Sequence, residues 1–378
     1  GLNHVIREMT DMNDEKKRIL EMVKEGLLNA DEALLLLEQL DKKEKLIQEE
    51  SQQESRELAT TAQPEGEKRQ EQQTKKSVST MDRILGVVDD VVKKIKDIDF
   101  DWNFGSSIEI DHLYHQEAKP FQIIDIDVAN GEVSIIPWDQ NVVDIECKAK
   151  VYRAETTTEA REKLQNQIVN KIENGKLKFM LQDRAIKLKA VIKVPNSQYQ
   201  ELRVRLFNGS INGENLKVDE IKTKTANGTI SFRDFHTREA EFETVNGSIK
   251  LNSFDAGELE IDTMNGSIQV DGAFRTADVQ TINGSIQCKQ TGQYGETLRA
   301  KAQAGSINLQ IPQGISCDGE LKSNLGSFNL DLKGIQVIEE KNDIVQKMLR
   351  FQSTVEEQHS MHVFAESKAG SIKVKHTL

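Results

Sequence analysis

One short motif recurs along the second half of the chain at a nearly constant spacing. It first occurs as Asn208-Gly209-Ser210-Ile211, and the next six copies begin at positions 227, 246, 265, 283, 304 and 325. The well-preserved copies are Asn227-Gly228, Asn246-Gly247, Asn265-Gly266 and Asn283-Gly284, and the degenerate copies contain Gly305, Gly326 and Gly370. A short, nearly fixed period of this kind indicates a repeat architecture in which each unit packs on its neighbours.

The residues before each motif alternate between apolar and polar types. In one copy, Leu259, Ile261 and Thr263 alternate with Glu260 and Asp262. A period of two predicts a β-strand with one face in the core and one in water. The threonine two places before each Asn is on the apolar side of this alternation, so we interpret the threonines as core residues.

Two fold classes compete for this pattern. Asn-Gly alone is typical of a type I′ hairpin, and two repeats approach the length of a β-propeller blade. Stacked strands explain the identical residues better, because each side chain then lies on its own copy about 4.8 Å away. We therefore predict a mainly β fold, a right-handed β-helix-like solenoid with turns of roughly 20 residues. A β-propeller-like fold is the alternative.

The solenoid hypothesis assigns roles to the motif residues. The glycines from Gly209 to Gly284 are expected to supply a positive φ at a corner, and the asparagines to form a side-chain ladder. Ile124 to Gly131 is expected to be an outlying turn of the solenoid. Residues 158–173 are predicted to form an inserted helix, and residues 335–360 a long hairpin around Asn342-Asp343.

The N-terminal segment, residues 1–40, predicts a helical hairpin. Ile19, Leu20, Val23 and Leu27 recur at helical spacing, and a second helix carries the apolar run from Ala33 to Leu37 with Leu40. Two helices this short cannot bury so much apolar surface alone. We expect the hairpin to bind a partner or a second copy, or else to dock on the rest of the chain.

A polar stretch over residues 41–79, rich in Gln, Glu, Lys and Ser, predicts a disordered linker. Residues 80–104 then predict an amphipathic helix ending in an aromatic segment. Its apolar positions are Met81, Ile84, Val88, Val91, Ile95 and Ile98, followed by Trp102. This helix is expected to cap the following domain, to pair as a coiled coil or to lie on a membrane surface.

The order of these segments resembles a known family. The run from Glu15 to Gly26, with Asp31-Glu32-Ala33, resembles a SHOCT-like hairpin, and residues 105–378 are similar to the adhesin-type domain of unknown function in YvlB-like, LiaG-like and LiaX-like proteins of Gram-positive bacteria. The resemblance implies association with the cell-envelope stress response, and no catalytic or cofactor residues. It also implies a start near Met9 or Met12, with residues 1–11 as an extension.

The sequence offers little catalytic chemistry. His112 with His115, and His359 with His362, lack partners in a metal-ligand pattern, so we interpret them as loop residues and predict no metal or cofactor. Cys147 and Cys288 are expected to be buried. Opposite outward charges in successive turns, such as Lys222 and Glu241, are expected to stabilise the stack.

These observations favour a non-catalytic scaffold or binding protein of the envelope stress response. Alternatives are a surface adhesin or antimicrobial-peptide sensor, and a self-assembling bactofilin-like structural protein. A net charge of −12 argues against a nucleic-acid partner. Because no secretory signal is recognisable, the expected location is the cytoplasm or the inner face of the membrane, with peripheral membrane contact or non-standard export to the cell surface as alternatives.

Overall fold

The computed structural model describes residues 106–378 and seven residues near the N-terminus: Lys16, Ile19, Ala33, Leu36, Leu37, Leu40 and Asp41. The chain divides into two compact units, Gly1–Phe104 and Gly105–Leu378. The expected extension over residues 1–11, the linker beyond Asp41 and the amphipathic helix over 80–104 lie outside the described residues. No helix in the described part is long and apolar enough to span a bilayer.

The seven described residues of the first unit are all helical. Ile19, Ala33, Leu36 and Leu40 are buried, whereas Leu37 is half-exposed. The spacing of three and four residues from Ala33 to Leu40 places these side chains on one helical face. An ion pair of 2.7 Å joins Lys16 to Asp41.

Residues 106–378 form twenty strands and one helix, α1 (Thr157–Gln167). The first strands are β1 (Ser107–Glu117), β2 (Ile123–Trp138), β3 (Val142–Tyr152), β4 (Val169–Glu173), β5 (Lys176–Leu181) and β6 (Ile186–Pro195). The central strands are β7 (Gln198–Asn208), β8 (Ile211–Asn227), β9 (Ile230–Asn246), β10 (Ile249–Asn265), β11 (Ile268–Asn283) and β12 (Ile286–Gln290). The last strands are β13 (Thr297–Ala302), β14 (Ile307–Ile311), β15 (Ser316–Ser323), β16 (Phe328–Asp331), β17 (Ile335–Asn342), β18 (Lys347–Ser353), β19 (Ser360–Ser367) and β20 (Ile372–His376).

The central strands stack in parallel with every repeat in register. Ile211 is opposite Ile230, and Asn227 is opposite Asn246, with the same correspondence from β9 to β10 and from β10 to β11. The inward isoleucines and phenylalanines, such as Ile230 and Phe232, are fully buried in one continuous core. The prediction of a mainly β solenoid is confirmed, and we call each turn of the solenoid a rung.

Three successive rungs, those of β8, β9 and β10, also bend in the middle of their long strands. Asn215, Asp234 and Ser253 adopt positive φ values of 56°, 53° and 53°, and the ladder skips these residues. Asn and Asp tolerate this left-handed conformation better than most residues. The bend keeps the chain wrapping around a single core, a feature that the sequence did not signal.

The order of the rungs along the stack differs from their order along the chain. Strand β2 lies between β5–β6 and β7–β8, so that Asn130 is opposite Asn208. Residues 124–131 therefore belong to a rung, as expected, but that rung lies inside the stack and is not outlying. At the other end, β19–β20 lies between β13–β14 and β15–β16, in parallel with both.

Antiparallel strands cover parts of both terminal rungs. Strand β4 pairs with β5, while β3 pairs with β6 and carries β1. At the far end β18 pairs with β15, and β17 pairs with β18. The predicted long hairpin around Asn342-Asp343 is therefore confirmed.

The predicted helix over residues 158–173 is wrong in its second half. Helix α1 begins after Thr156, whose side chain accepts a 3.1 Å hydrogen bond from the Glu159 amide, and ends at Gln167. Ile168 is extended, and β4 then pairs with β5 through a tight turn at Asn174-Gly175. The spacing of four that suggested a helix also places Ile168 and Ile172 on one face of an extended chain.

Candidate binding surface

The motif asparagines form a continuous ladder at one corner of the solenoid. Each amide nitrogen donates to the amide oxygen of the preceding rung. The distances are 2.8 Å from Asn227 to Asn208, 2.9 Å from Asn246 to Asn227, 2.8 Å from Asn265 to Asn246 and 2.8 Å from Asn283 to Asn265. The backbone carbonyls of these asparagines also accept from a glycine amide one rung back, as Asn246 does from Gly228 at 2.9 Å.

The motif glycines stack directly on one another. A Cβ atom on Gly247 would lie 1.9 Å from the carbonyl oxygen of Gly228, and its counterparts meet the same obstacle. In stack order this column is Gly131, Gly209, Gly228, Gly247, Gly266, Gly284, Gly305, Gly370 and Gly326. Positive φ occurs within the column only at Gly131 and Gly209. The expectation of positive φ is thus wrong for Gly228 to Gly284, where close backbone approach requires glycine instead.

The threonines complete the hydrogen bonding of this corner. Thr244 is buried and donates from its hydroxyl to the Gly228 carbonyl at 2.9 Å, as Thr263 does to Gly247. The interpretation of these threonines as core residues is confirmed. Because the Asn amides, Gly carbonyls and Thr hydroxyls are engaged with neighbouring rungs, the corner holds the stack together and does not present groups to a ligand.

His112, His115 and His362 lie on strands, which corrects the loop interpretation for these three, whereas His359 lies in the loop before β19 as expected. His115 pairs with Asp144 on the neighbouring strand β3, and His362 with Asp318 on β15. Burial, with a contribution from Arg161, lowers the pKa of His112. Within residues 106–378 and the seven described helical residues, no group of three or more His, Cys, Asp and Glu side chains is arranged to hold a metal ion.

All three cysteines are buried and free. Burial raises the pKa of the Cys147 and Cys317 thiols to about 12 and raises that of Cys288 as well. Such thiols remain protonated at neutral pH and are poor nucleophiles.

The outward faces of the rungs form a lateral groove with a volume of about 330 Å³. We use this name for the groove lined along the stack by Glu220, Lys222, Glu241, Glu260, Asp278 and Arg299, with Glu239 and Glu258 beside them. Five neighbouring strands contribute, which corresponds to a length of roughly 19 Å. Outward positions at a fixed distance from each motif Asn supply the lining side chains.

The charges along the lateral groove are arranged in bands. Going along the stack, Arg203 and Lys222 are followed by Glu241, Glu260 and Asp278, and then by Arg299. The expectation that neighbouring rungs alternate in charge is wrong within the acidic band, because Glu260 is opposite both Glu241 and Asp278. Like charges directly opposite each other destabilise a sheet, so the band is not explained by stacking.

One buried carboxyl group lies at the edge of the acidic band. The Glu243 side chain is only 4% exposed and pairs with Lys224 at 2.8 Å. Burial raises its pKa to about 7, the Lys224 ammonium opposes that rise, and Glu241 adds to it. Burial therefore favours the protonated form of this carboxyl group.

Sequence reasoning found the motif residues but not the lateral groove. The structure brings the motif asparagines and glycines together in one column, whereas the row of groove residues from Lys222 to Arg299 differs between repeats. A signal did exist. Glu201, Glu220, Glu239 and Glu258 occupy the same place in four successive repeats, seven residues before the motif Asn.

Comparisons with known proteins agree with this architecture. The profile of the Toastrack DUF4097 family matches residues 121–375, and that of a SHOCT-like domain matches residues 14–45. The uncharacterized protein YvlB of Bacillus subtilis (strain 168) is 41% identical over 377 residues, covering 97% of this chain and 100% of that protein.

Two solved structures are more distant matches. A "putative adhesin" from Parabacteroides distasonis is 9% identical, with a TM-score of 0.39, covering 70% of this chain and 97% of its own. A "putative adhesin" from Bacteroides fragilis is 12% identical, with a TM-score of 0.37, covering 71% and 98%. From its family match and its relative, this chain belongs to the Toastrack DUF4097 family, as a YvlB-like member with a SHOCT-like domain ahead of its solenoid.

Proposed function

We propose that this protein is a non-catalytic binding scaffold of the cell-envelope stress response, acting in the cytoplasm or at the inner face of the membrane. The lateral groove is the surface that binds a protein partner. One observation carries this proposal. The corner column uses its polar groups to hold the rungs together, while the groove maintains a band of like charge that stacking alone disfavours.

The groove favours a partner with positive charge at its centre. Glu241 and Glu260 lie opposite each other on adjacent strands. Glu239 and Glu258 do so beside them, where each pairs with an arginine, Arg238 at 3.3 Å and Arg275 at 2.6 Å. A basic segment crossing these strands would relieve the repulsion, with Lys222 and Arg299 at the ends limiting its length. Charge complementarity of this kind contributes to partner selectivity and to the rate of association.

The chemistry of the described residues supports a non-catalytic role. The cysteine thiols are buried with raised pKa values, and the corner hydroxyls of Thr244 and Thr263 donate to the backbone. An activated nucleophile needs an adjacent base.

Charge reversal in the groove tests this function. The measurement is the amount of protein partner that crosslinks to this protein in its own cells. The Glu241→Lys/Glu260→Lys variant should crosslink to at least about ten-fold less of that partner than the wild type does. A matched control reverses two exposed glutamates away from the groove, Glu109→Lys/Glu356→Lys, and should keep the partner. If the groove variant captures the same partner as fully as the control does, the groove is not the binding surface.

The N-terminal hairpin is proposed to join copies of the protein or to bind a second partner. Support comes from the SHOCT-like match and from Leu37, which is half-exposed beside the buried Leu36. Leu37→Asp should lower the mass measured by sedimentation equilibrium if the hairpin joins copies. An unchanged mass, together with unchanged crosslinking in cells, would contradict both roles.

The structure also bears on the filament alternative. Antiparallel strands β3 and β4 cover the rung at one end, and β18 covers the β15 half of the rung at the other. These strands interrupt the parallel pairing that end-to-end stacking of bactofilin-like solenoids requires. A discrete assembly is therefore the form we propose.

The side of the membrane distinguishes the scaffold from a surface adhesin or peptide sensor. Protease treatment of intact cells should leave this protein uncut, as it leaves a cytoplasmic control. Cleavage with the control spared would place the solenoid outside the cell and would overturn the proposed location.

A further inference from the structure

Exposed aliphatic side chains gather at one end of the solenoid. Of the eleven exposed large hydrophobic residues in the described part of the chain, six lie between positions 325 and 355. Three of them are the most exposed of this group: Leu325 at 78%, Ile344 at 101% and Val345 at 74%. Leaving such side chains in water forgoes the stabilisation that their burial would provide, so their common location calls for an explanation.

The fold brings these three residues to the same corner. Ile344 and Val345 form the turn of the β17–β18 hairpin, where Asn342 is opposite Lys347. Lys347 is also opposite Ser323 on β15, and its ammonium group donates to the Gly326 carbonyl at 3.4 Å. The hairpin turn and Leu325 therefore project from the same end of the stack, and we call these residues the apolar tip.

The apolar tip continues the column that carries the asparagine ladder. In stack order, the position of the motif Asn is occupied after Asn283 by Ala304, Ala369 and finally Leu325. The glycine beside it is kept in each case, as Gly305, Gly370 and Gly326. The corner backbone is thus maintained to the last rung, while its side chain changes from a polar amide to an exposed aliphatic group.

Lysines surround the apolar tip. Lys341 and Lys347 flank the hairpin turn, and the Lys368 carbonyl accepts from the Leu325 amide at 3.1 Å, which places a third lysine beside the tip. One carboxylate, Asp343, lies within the turn. Lys341 also pairs with Glu339 at 2.9 Å, so Lys347 and Lys368 are the lysines that place positive charge directly beside the three aliphatic side chains.

This combination matches a lipid surface better than a protein pocket. The tip is convex, and three side chains fall far short of the roughly 800 Å² that each partner contributes to a standard protein interface. A bilayer requires no complementary shape, and lysines reach headgroup phosphates while their aliphatic stems remain among apolar groups. We propose that the apolar tip binds anionic membrane, with Leu325, Ile344 and Val345 inserted between headgroups and the lysines at the phosphates.

Vesicle flotation with the full chain tests this proposal. Vesicles of equal parts phosphatidylglycerol and phosphatidylcholine should bind the wild-type protein, and vesicles of phosphatidylcholine alone should bind it several-fold less. Replacement of the tip, Leu325→Ser/Ile344→Ser/Val345→Ser, should reduce binding at least about ten-fold. These side chains are exposed, so the circular dichroism spectrum and the melting temperature should stay unchanged.

Two comparison variants keep the outcome decisive. Val337→Ser/Ile338→Ser removes equally apolar, exposed residues of β17 away from the turn and should bind like the wild type. Val88→Asp/Val91→Asp alters the sequence-predicted amphipathic segment. Loss of binding in that variant with full binding by the tip variant would overturn the proposal, as would failure of the wild type to bind. Tip-dependent self-association without vesicles would also overturn it, by identifying a second copy as the occupant.

Discussion

The corner column and the lateral groove belong to the same rungs, but their sequences obey different rules. At the corner, Gly247 and Asn246 stack on their own copies one rung away, so each repeat must present the same residue. In the groove, outward side chains such as Lys222 and Glu241 face solvent and change from rung to rung. Repetition therefore identifies the residues that build the solenoid, and departures from repetition identify the surface that is free to acquire a function.

The largest expected effect is at the glycine column. In Gly247→Ala the new Cβ would lie 1.9 Å from the Gly228 carbonyl oxygen, so the rungs must separate. We expect a loss of about 4 kcal/mol or more in the free energy of unfolding, measured by urea denaturation. The neighbouring exposed Ser267→Ala should change it by less than about 0.5 kcal/mol. A tolerated Gly247→Ala would show that the corner is looser than the contact implies.

The next effect is a dependence on pH at the boundary between the two regions. The pKa of Glu243 is raised to about 7, so the folded state binds the proton more tightly than the unfolded state does. The contribution of Glu243 to the free energy of unfolding is therefore greatest at pH values below the pKa that this group has in the unfolded chain. That contribution is lost as pH rises through about 7. We expect stability to fall by about 2 kcal/mol between pH 5 and pH 8 from this group.

Urea denaturation at several pH values measures that fall. Glu243→Gln keeps the shape of the side chain and removes the titration, so the corresponding part of the pH dependence should disappear. An identical pH profile in the variant would show that Glu243 ionises normally in the fold.

A smaller effect is expected where a threonine hydroxyl supports the corner. Thr244→Val removes the 2.9 Å hydrogen bond to the Gly228 carbonyl and nearly preserves side-chain volume. The expected loss is about 1–2 kcal/mol, since a buried carbonyl loses one donor. Thr237, half-buried and away from the corner, provides the comparison. Thr237→Val should lower the free energy of unfolding by less than Thr244→Val does. Equal losses would show that the corner hydroxyl contributes no more to stability than one elsewhere.

The smallest effect is expected in the groove itself. Glu241→Gln relieves repulsion with Glu260 while weakening attraction to Lys222, which faces it on the other side. The net change in the free energy of unfolding should stay within about 0.5 kcal/mol. A loss comparable to that of Thr244→Val would mean that the band is structural, and the distinction between the two regions would fail.

The sequence predicted the parts of the fold that repetition and alternation control. The register of the central strands follows from the spacing of the asparagines, and the inward residues follow from the alternation around Ile261 and Thr263. Helix α1 was extended too far because Ile168 and Ile172 satisfy both a helical and an extended spacing. The groove was missed because the outward row from Lys222 to Arg299 is not tied to the repeat.

The stacking order could not be predicted for a physical reason. Every corner glycine presents the same backbone carbonyl group to the next rung. Either Gly326 or Gly370 could therefore stack on Gly305. Sequence order favours Gly326, but the structure places Gly370 there. Local motifs therefore specify that rungs stack without specifying which rung comes next.

That interleaved order has a consequence for synthesis on the ribosome. Domains commonly begin to fold from their N-terminal side as the chain emerges. Strands β15 and β16 cannot do so, because the parallel neighbours that join them to the rest of the solenoid are β19 and β20, made later. A nascent chain released before residue 360 would leave β13, β14, β15 and β16 with open edges, ready to pair with other chains. The rungs at this end of the solenoid can therefore complete their pairing only after the C-terminal strands have been translated.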